Sequence, residues 1–233
     1  MPIAQRVART LKRNELTLVP PEIEKYLSGL DHDPHPLLDM IERYAATQSF
    51  RDGARIIPFP IVGRLVGKII YQLALMNRAE RVFELGSGFG YSAYWFAKAM
   101  GRRGELFLTD GSAENLVRAE TFLSQIPDGP AIHCMEGDAL ASLSRTKGSF
   151  DIIFLDLDKS SYPEAYSRAL KRIRRGGLLI ADNTLWSGKV ADVRVQDADT
   201  RGIRKFNKLI FSNPALVSTI LPVRDGLAVC LKK

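Results

Sequence analysis

Two short stretches of this 233-residue chain concentrate groups that could do chemistry. FDIIFLDLDKSSY places Asp156, Asp158 and Lys159 just past one apolar run, and LLIADNTLW places Asp182, Asn183 and Trp186 just past the next. Carboxylates and an amide offer oxygen donors only. Such a set selects a hard cation, Mg²⁺, Mn²⁺ or Ca²⁺, with water or substrate completing its shell. One Asp alone would be read as a helix cap, but an Asp-x-Asp-Lys and an Asp-Asn at matching points of consecutive runs point to a site. Lys159 is the informative member. Near a divalent cation its charged form is disfavoured, so its pKa should fall and it could take a proton from a hydroxyl made acidic by the metal. The competing reading makes Lys159 a salt-bridge partner of Asp158.

A third stretch, RVFELGSGFGYSAYWF, reads as strand, glycine loop and helix. Gly86, Gly88 and Gly90 let the backbone approach a ligand, and the following helix points free N–H groups at an anionic group. A dinucleotide fingerprint would want glycine where Tyr91 stands. Glu84 precedes the loop and would repel a pyrophosphate, whereas a cation or zwitterion would be favoured. Asp110 ends the next strand, where an acid can bind ribose hydroxyls. Asp138, in EGDAL after the third strand, could accept from an exocyclic amine; the plainer readings are a turn for Asp110 and a helix N-cap for Asp138. Acids after three successive strands suit a ligand with adenine, ribose and a positively charged end, and S-adenosylmethionine fits better than NAD or ATP.

These residues need a scaffold that brings strand ends together. Strands are expected at 81–85, 105–109, 131–135, 150–155, 177–181, 217–221 and 226–231, with helices near 91–100, 113–124, 162–174 and 200–211. Alternation of this kind means right-handed crossovers, a mostly parallel sheet and helices on both faces. Ligands then bind beyond the carboxyl ends of the strands. The last two strands have no helix between them, and Val223-Arg224-Asp225-Gly226 is a turn signal, so an antiparallel hairpin should close the sheet. Before Met76 the pattern is helical throughout. A basic amphipathic segment carries Arg6, Arg9, Lys12 and Arg13, Pro20 and Pro21 open a second helix, and Leu37, Leu38, Ile41 and Tyr44 mark a third. Ile61, Val62, Leu65, Val66, Ile69, Ile70 and Leu73 form a wide apolar face on a fourth, with Pro58 and Pro60 just before its start.

Composition sets the outer bounds. Hydrophobic residues at 45% and charged ones at 25% are globular values and argue against disorder. A chain of this length buries enough surface to need no disulfide scaffold. The net charge of +7 permits an anionic partner but is spread along the chain, so solubility is the simpler reading. Cys134 and Cys230 lie in apolar strands and read as two buried thiols, which suits a reducing, cytoplasmic setting. The basic N-terminus lacks the apolar core of a signal peptide, and Arg64 and Lys68 interrupt the most apolar stretch, so no membrane association is expected. His32 and His35 in GLDHDPHPL invite a metal reading, but a polar loop with Asp31 as N-cap is preferred.

ELGSGFGYSA, FLDLDKSSYPEAY, GGLLIADNTLWSGKV and VQDADTRGIRKFN together resemble the cation-dependent S-adenosylmethionine O-methyltransferases, the family of catechol and caffeoyl-CoA O-methyltransferases. The likeness runs from Ile56 to the C-terminus. It implies a Rossmann-like class I fold over residues 56–233, preceded by a helical extension over 1–55 that pairs subunits into a homodimer and covers the acceptor. It implies Asp156, Asp182 and Asn183 as metal ligands and Lys159 as general base. Glu84, Gly86, Gly88, Ser92, Asp110, Asp138, Ala139 and Asp156 would meet the cofactor, and Trp186 with Lys159 the acceptor. The implied reaction moves a methyl group to a hydroxyl of a small phenolic acceptor, with no nucleic-acid partner. The chain departs from the family at Val62, which stands where an acidic residue usually precedes the equivalent of Gly63. A charge of +7 keeps one alternative open, an RNA methyltransferase on the same sheet, and a cofactor-binding scaffold without turnover is another.

Overall fold

The structure is a computed structural model and describes residues 20–30, 35–52 and 55–233. The basic segment from Arg6 to Arg13, Asp31 and His32 lie outside the described residues.

Helices α1 (Pro21–Gly29) and α2 (Pro36–Thr47) come first, then strands β1 (Ser49–Asp52) and β2 (Arg55–Pro58). Next are α3 (Gly63–Asn77), β3 (Arg81–Leu85), α4 (Tyr91–Met100), β4 (Glu105–Asp110), α5 (Ala113–Leu123) and β5 (Ala131–Glu136). The chain continues through α6 (Ala139–Arg145), β6 (Phe150–Leu155), α7 (Tyr162–Arg172), β7 (Ile173–Ala181), α8 (Ala198–Ser212), β8 (Leu216–Leu221) and β9 (Leu227–Lys232). Seven strands form one sheet in the order β5-β4-β3-β6-β7-β9-β8. The pairs from β5 to β7 are parallel, and β9 runs antiparallel to both β7 and β8. The expected hairpin therefore closes the sheet.

Alternation along each strand divides the core. Val82, Leu106, Leu108, Ile152, Phe154, Leu178 and Ile180 face α2 to α5, whereas Phe83, Leu85, Phe107, Ile153, Leu155, Leu179 and Ala181 face α6 to α8. Strands buried on both faces read as continuous apolar runs, which is why the sequence marks them so clearly. Phe154 has no exposed surface and stacks edge-on against Phe96 at 5.7 Å; truncating such a side chain to alanine costs about 3–5 kcal/mol.

Several expectations need correcting. The N-terminal part is not helical throughout, because β1 and β2 pair antiparallel from Ser49↔Pro58 to Asp52↔Arg55 and straddle the expected boundary at 55/56. The β-branched pair Ile56-Ile57 after an Asp-Gly dipeptide is the sequence signal for that hairpin. α7 stops at Arg172, and β7 begins four residues before Gly177, with a register shift opposite Phe150/Ile152. Cys230 is buried, but Cys134 is exposed because β5 is an edge strand. His35 is not in a polar loop. It is buried at the start of α2, its ring 5.3 Å from that of Trp95 and its Nδ1 3.3 Å from Tyr94 Oη.

Candidate active site

Backbone hydrogen bonds between neighbouring strands align the three chemical stretches. Just past β6, Asp156 N–H donates to Leu85 O at 2.9 Å; just past β7, Asp182 N–H donates to Leu155 O at 3.0 Å. The ends of β3, β6 and β7 thus step across one crevice. Gly86, at φ 88°, is wedged against the Asp156 carbonyl, where a Cβ would collide. Only glycine lets the loop pass the β6 end so closely.

The loop itself is tied to β4. Thr109 Oγ1 donates to Glu84 O at 2.7 Å, and Gly88 N–H donates to the Asp110 carboxylate at 3.0 Å. The other Asp110 oxygen accepts from Ser112 N–H at 2.8 Å and Asn115 Nδ2 at 3.0 Å. Asp110 is thereby fixed in orientation with lone-pair capacity left on the loop side. Phe59 packs at a tilt against Phe89 with 4.3 Å between ring centres, and Glu42 of α2 accepts from Tyr91 Oη at 2.8 Å. The segment before the sheet therefore covers the loop, and Tyr91, which replaces a fingerprint glycine, is what anchors the cover. Asp138 caps α6, accepting from Ala141 N–H at 2.6 Å, and Ala139 is the first residue of that helix.

Glu84 has no exposed surface, and neither carboxylate oxygen accepts a well-formed hydrogen bond. Burial pushes its pKa up to about 8, partly offset by the nearby Ser92 and Ser87 hydroxyls. A buried carboxylate left in this state is costly unless a positive group arrives. An ammonium-bearing ligand over the glycine loop would supply one.

At the other end of the crevice, Lys159 Nζ lies 2.8 Å from Asp156 Oδ1 and 3.2 Å from Tyr162 Oη. The Tyr162 hydroxyl lies 3.0 Å from the carbonyls of Leu155 and of Asp182. The expected fall in the Lys159 pKa is not what this arrangement gives. Burial pulls it down, but the Asp156 charge, with Tyr162 and Asp182, outweighs burial and raises it. Its ion-pair partner is Asp156, whereas Asp158 is exposed. Asp182 is buried, and burial followed by the Asp156 charge holds its carboxyl well above the usual range. Asn183 adopts φ 56°, and its side chain, together with Ser187 N–H, bonds Asp225 from the β8–β9 turn. Trp186 is half-buried, with Lys159 Nζ 6.0 Å and Lys189 Nζ 5.1 Å from its ring.

The structure thus brings Asp156, Lys159, Asp182, Asn183 and Trp186 into one cluster, one strand from Glu84, Gly86 and Ser92. Among the described residues no three His, Cys, Asp or Glu side chains converge to hold a metal, so a cation here depends on the Asn183 amide and on oxygens from outside the chain. The donor set nonetheless fits a hard cation, because the buried Asp182 carboxyl, held up in pKa by burial and by the Asp156 charge, is relieved by positive charge. Tyr162, Asp225 and Arg224 belong to the neighbourhood but read in the sequence as core or turn. For Tyr162 the clue was its place three residues after Lys159, one helical turn on.

A seven-stranded sheet of this order, with an acid-flanked glycine loop after its first parallel strand, defines a class I S-adenosylmethionine-dependent methyltransferase. Comparison with known proteins agrees. The family model described as O-methyltransferase matches residues 56–233. A catechol O-methyltransferase of Niastella koreensis is 31% identical over 198 residues, 81% of this chain and 89% of that protein. Caffeoyl-CoA O-methyltransferase 1 of Eucalyptus globulus is 30% identical over 177 residues, 70% of this chain and 71% of that protein. The O-methyltransferase of Bacillus cereus, solved in complex with SAH, superposes with a TM-score of 0.77 at 26% identity, over 91% of this chain and 97% of that one. The chain belongs to the O-methyltransferase family, and its methyl donor is S-adenosylmethionine. These relatives give no support to an RNA methyltransferase. Among the described residues no helix is long and apolar enough to cross a membrane.

Proposed function

We propose that the protein transfers the methyl group of S-adenosylmethionine to a hydroxyl of a small aromatic, catechol-type acceptor, with a divalent cation held by Asp156, Asp182 and Asn183. The observation that carries this reading is the meeting of Asp156 and Asp182 around the buried amine of Lys159, with Asn183 next in the chain to Asp182, one strand from the glycine loop. The names of the two relatives, a catechol and a caffeoyl-CoA O-methyltransferase, support the acceptor class. When bound, the cation would supply Lewis acidity that lowers the pKa of the acceptor hydroxyl. The remaining work falls to the chain. Glu84 seats the donor's amino group, Asp110 its ribose, and the Asp138–Ala139 turn its adenine. Trp186 walls the acceptor. Lys159 would have to leave its ion pair with Asp156 and shed its proton before Nζ could take the hydroxyl proton as the O–C bond forms and the C–S bond breaks. Alignment of the two reactants in a crevice closed to water supplies most of the rate gain.

The same reading takes the working unit as a homodimer, which sedimentation would check. The decisive test pairs Asp156→Ala with EDTA treatment of the wild type, using catechol as acceptor. Each should cut turnover roughly a thousand-fold or more, with Mg²⁺ or Mn²⁺ restoring only the EDTA-treated enzyme. Intact turnover after both treatments would overturn the cation-assisted mechanism.

A further inference from the structure

Arg224 sits in the turn between β8 and β9, closed by Gly226 N–H donating to Val223 O at 2.8 Å. Its backbone is left-handed at φ 48°, a conformation that costs any residue but glycine. The side chain leaves its own hairpin and lays its guanidinium on Gly63 at the start of α3, where a Cβ would collide with Nη1. Its charge is felt on two sides, by Asp182 past the end of β7 and by Tyr91 in the first turn of α4. Arg224 therefore occupies the corner where the acidic cluster, the glycine-loop helix and the start of α3 meet.

Arginines that hold this fold together are engaged. Arg64 pairs with Asp39 and Glu42, Arg81 with Glu105, and Arg174 with Asp151, while Arg204 donates to the carbonyls of Lys189, Val190, Asp192 and Val195. Arg224 differs: among the described residues it donates no hydrogen bond and meets no carboxylate at ion-pairing distance. The residue before Gly63 offers none, since Val62 is apolar and buried. An exposed, unpaired guanidinium facing a ligand crevice presents a planar fork that matches a carboxylate.

We propose that Arg224 is a carboxylate-binding residue of the crevice. Two sources share that chemistry, the α-carboxylate of the methyl donor and a carboxylate carried by the acceptor; the second rests on the proposed acceptor class. Two ratios, measured in the wild type, Arg224→Gln and Arg224→Lys, distinguish them. The first compares the affinity for S-adenosylhomocysteine with that for 5′-methylthioadenosine, which shares the nucleoside but lacks the carboxylate, and needs no turnover. The second compares kcat/KM for 3,4-dihydroxybenzoate with that for 3,4-dihydroxybenzamide, its neutral counterpart. A fall of about ten-fold or more in the first ratio for Arg224→Gln assigns the donor's carboxylate, and a like fall in the second assigns the acceptor's, with Arg224→Lys intermediate. Arg224→Gly, which relieves the left-handed backbone, should show the same fall without loss of Tm, which separates binding from folding. If neither ratio moves, Arg224 binds no carboxylate and the inference is overturned. Should the wild type methylate neither diol, the acceptor class fails instead, and the first ratio alone decides the role of Arg224.

Discussion

The two ends of the parallel sheet carry similar charges and treat them in opposite ways. At the amino ends, Asp151 of β6 accepts from Glu80 N–H at 2.8 Å and Arg81 N–H at 2.7 Å, and also pairs with Arg174. Arg81 donates to Glu105 at 2.7 Å and lies 4.9 Å over the Phe150 ring. Arg172 seals the same end by donating to the carbonyls of Leu143, Thr146 and Gly148. At the carboxyl ends, Glu84 and Asp182 are buried with far less compensation, and both are raised in pKa by desolvation. Saturated charges close a fold, whereas buried charges short of partners are tolerated where a ligand completes them.

The comparison is sharpest for one aspartate from each end. Asp182→Asn removes a costly buried charge, so stability should hold or rise while methyl transfer to catechol falls about a thousand-fold. Asp151→Asn should do the reverse. Its half-exposed partner Arg174 and the two backbone donors lose a charged acceptor, costing about 2 kcal/mol in urea unfolding, while kcat per folded molecule stays near wild type. If Asp182→Asn proved the destabilising member, the distinction between the two ends would fail.

Glu84 gives a prediction in pH. A carboxyl whose folded pKa is raised from 4.5 to about 8 favours folding fully below pH 4.5, and that contribution is lost as pH rises towards 8. Between pH 6 and pH 8 the unliganded protein should lose about 2–3 kcal/mol of stability through this one group. Glu84→Gln should flatten the curve. A cationic ligand amine would pull the Glu84 pKa back down, so S-adenosylhomocysteine binding at pH 7 should release a proton, read by calorimetry in buffers of differing ionisation enthalpy. No release would mean that Glu84 does not meet the amine.

Much of this division was legible in the sequence. Phe150–Leu155 reads as a doubly buried strand, and an acid directly after such a strand falls in the crevice whatever the loop does next. That logic placed Asp110, Asp156 and Asp182. It failed where the outcome depended on distant partners. The salt-bridge reading of Lys159 named Asp158, but the 3₁₀ turn over Lys159–Ser161 faces it inward to Asp156. β7 was read short because Arg174 and Arg175 look like a helix end, yet Arg174 belongs to the satisfied amino end of the sheet. Arg224 and Asp225 look like turn residues until the hairpin is folded back over Asn183 and Gly63.

Tyr162 tests the boundary between the two behaviours, being a fully buried group of the active end that is nonetheless satisfied. Its hydroxyl sits between the carbonyls of Leu155 and Asp182 and receives from Lys159 Nζ. Tyr162 is therefore a positioning residue for the amine rather than a group that meets substrate. Tyr162→Phe removes the single O–H proton that the two carbonyls share and the oxygen that accepts from Lys159, but the ring still packs against Phe206 at 5.3 Å. The expected cost is about 1–2 kcal/mol of stability. Methyl transfer should slow about three- to ten-fold in kcat with little change in KM, since Lys159 is less well held while the acceptor's contacts are untouched. The pH profile of kcat should shift as well, because the hydroxyl's interaction with Nζ is lost. An unshifted profile with an equal loss of stability would reduce Tyr162 to a packing residue and move it, in behaviour, to the amino end of the sheet.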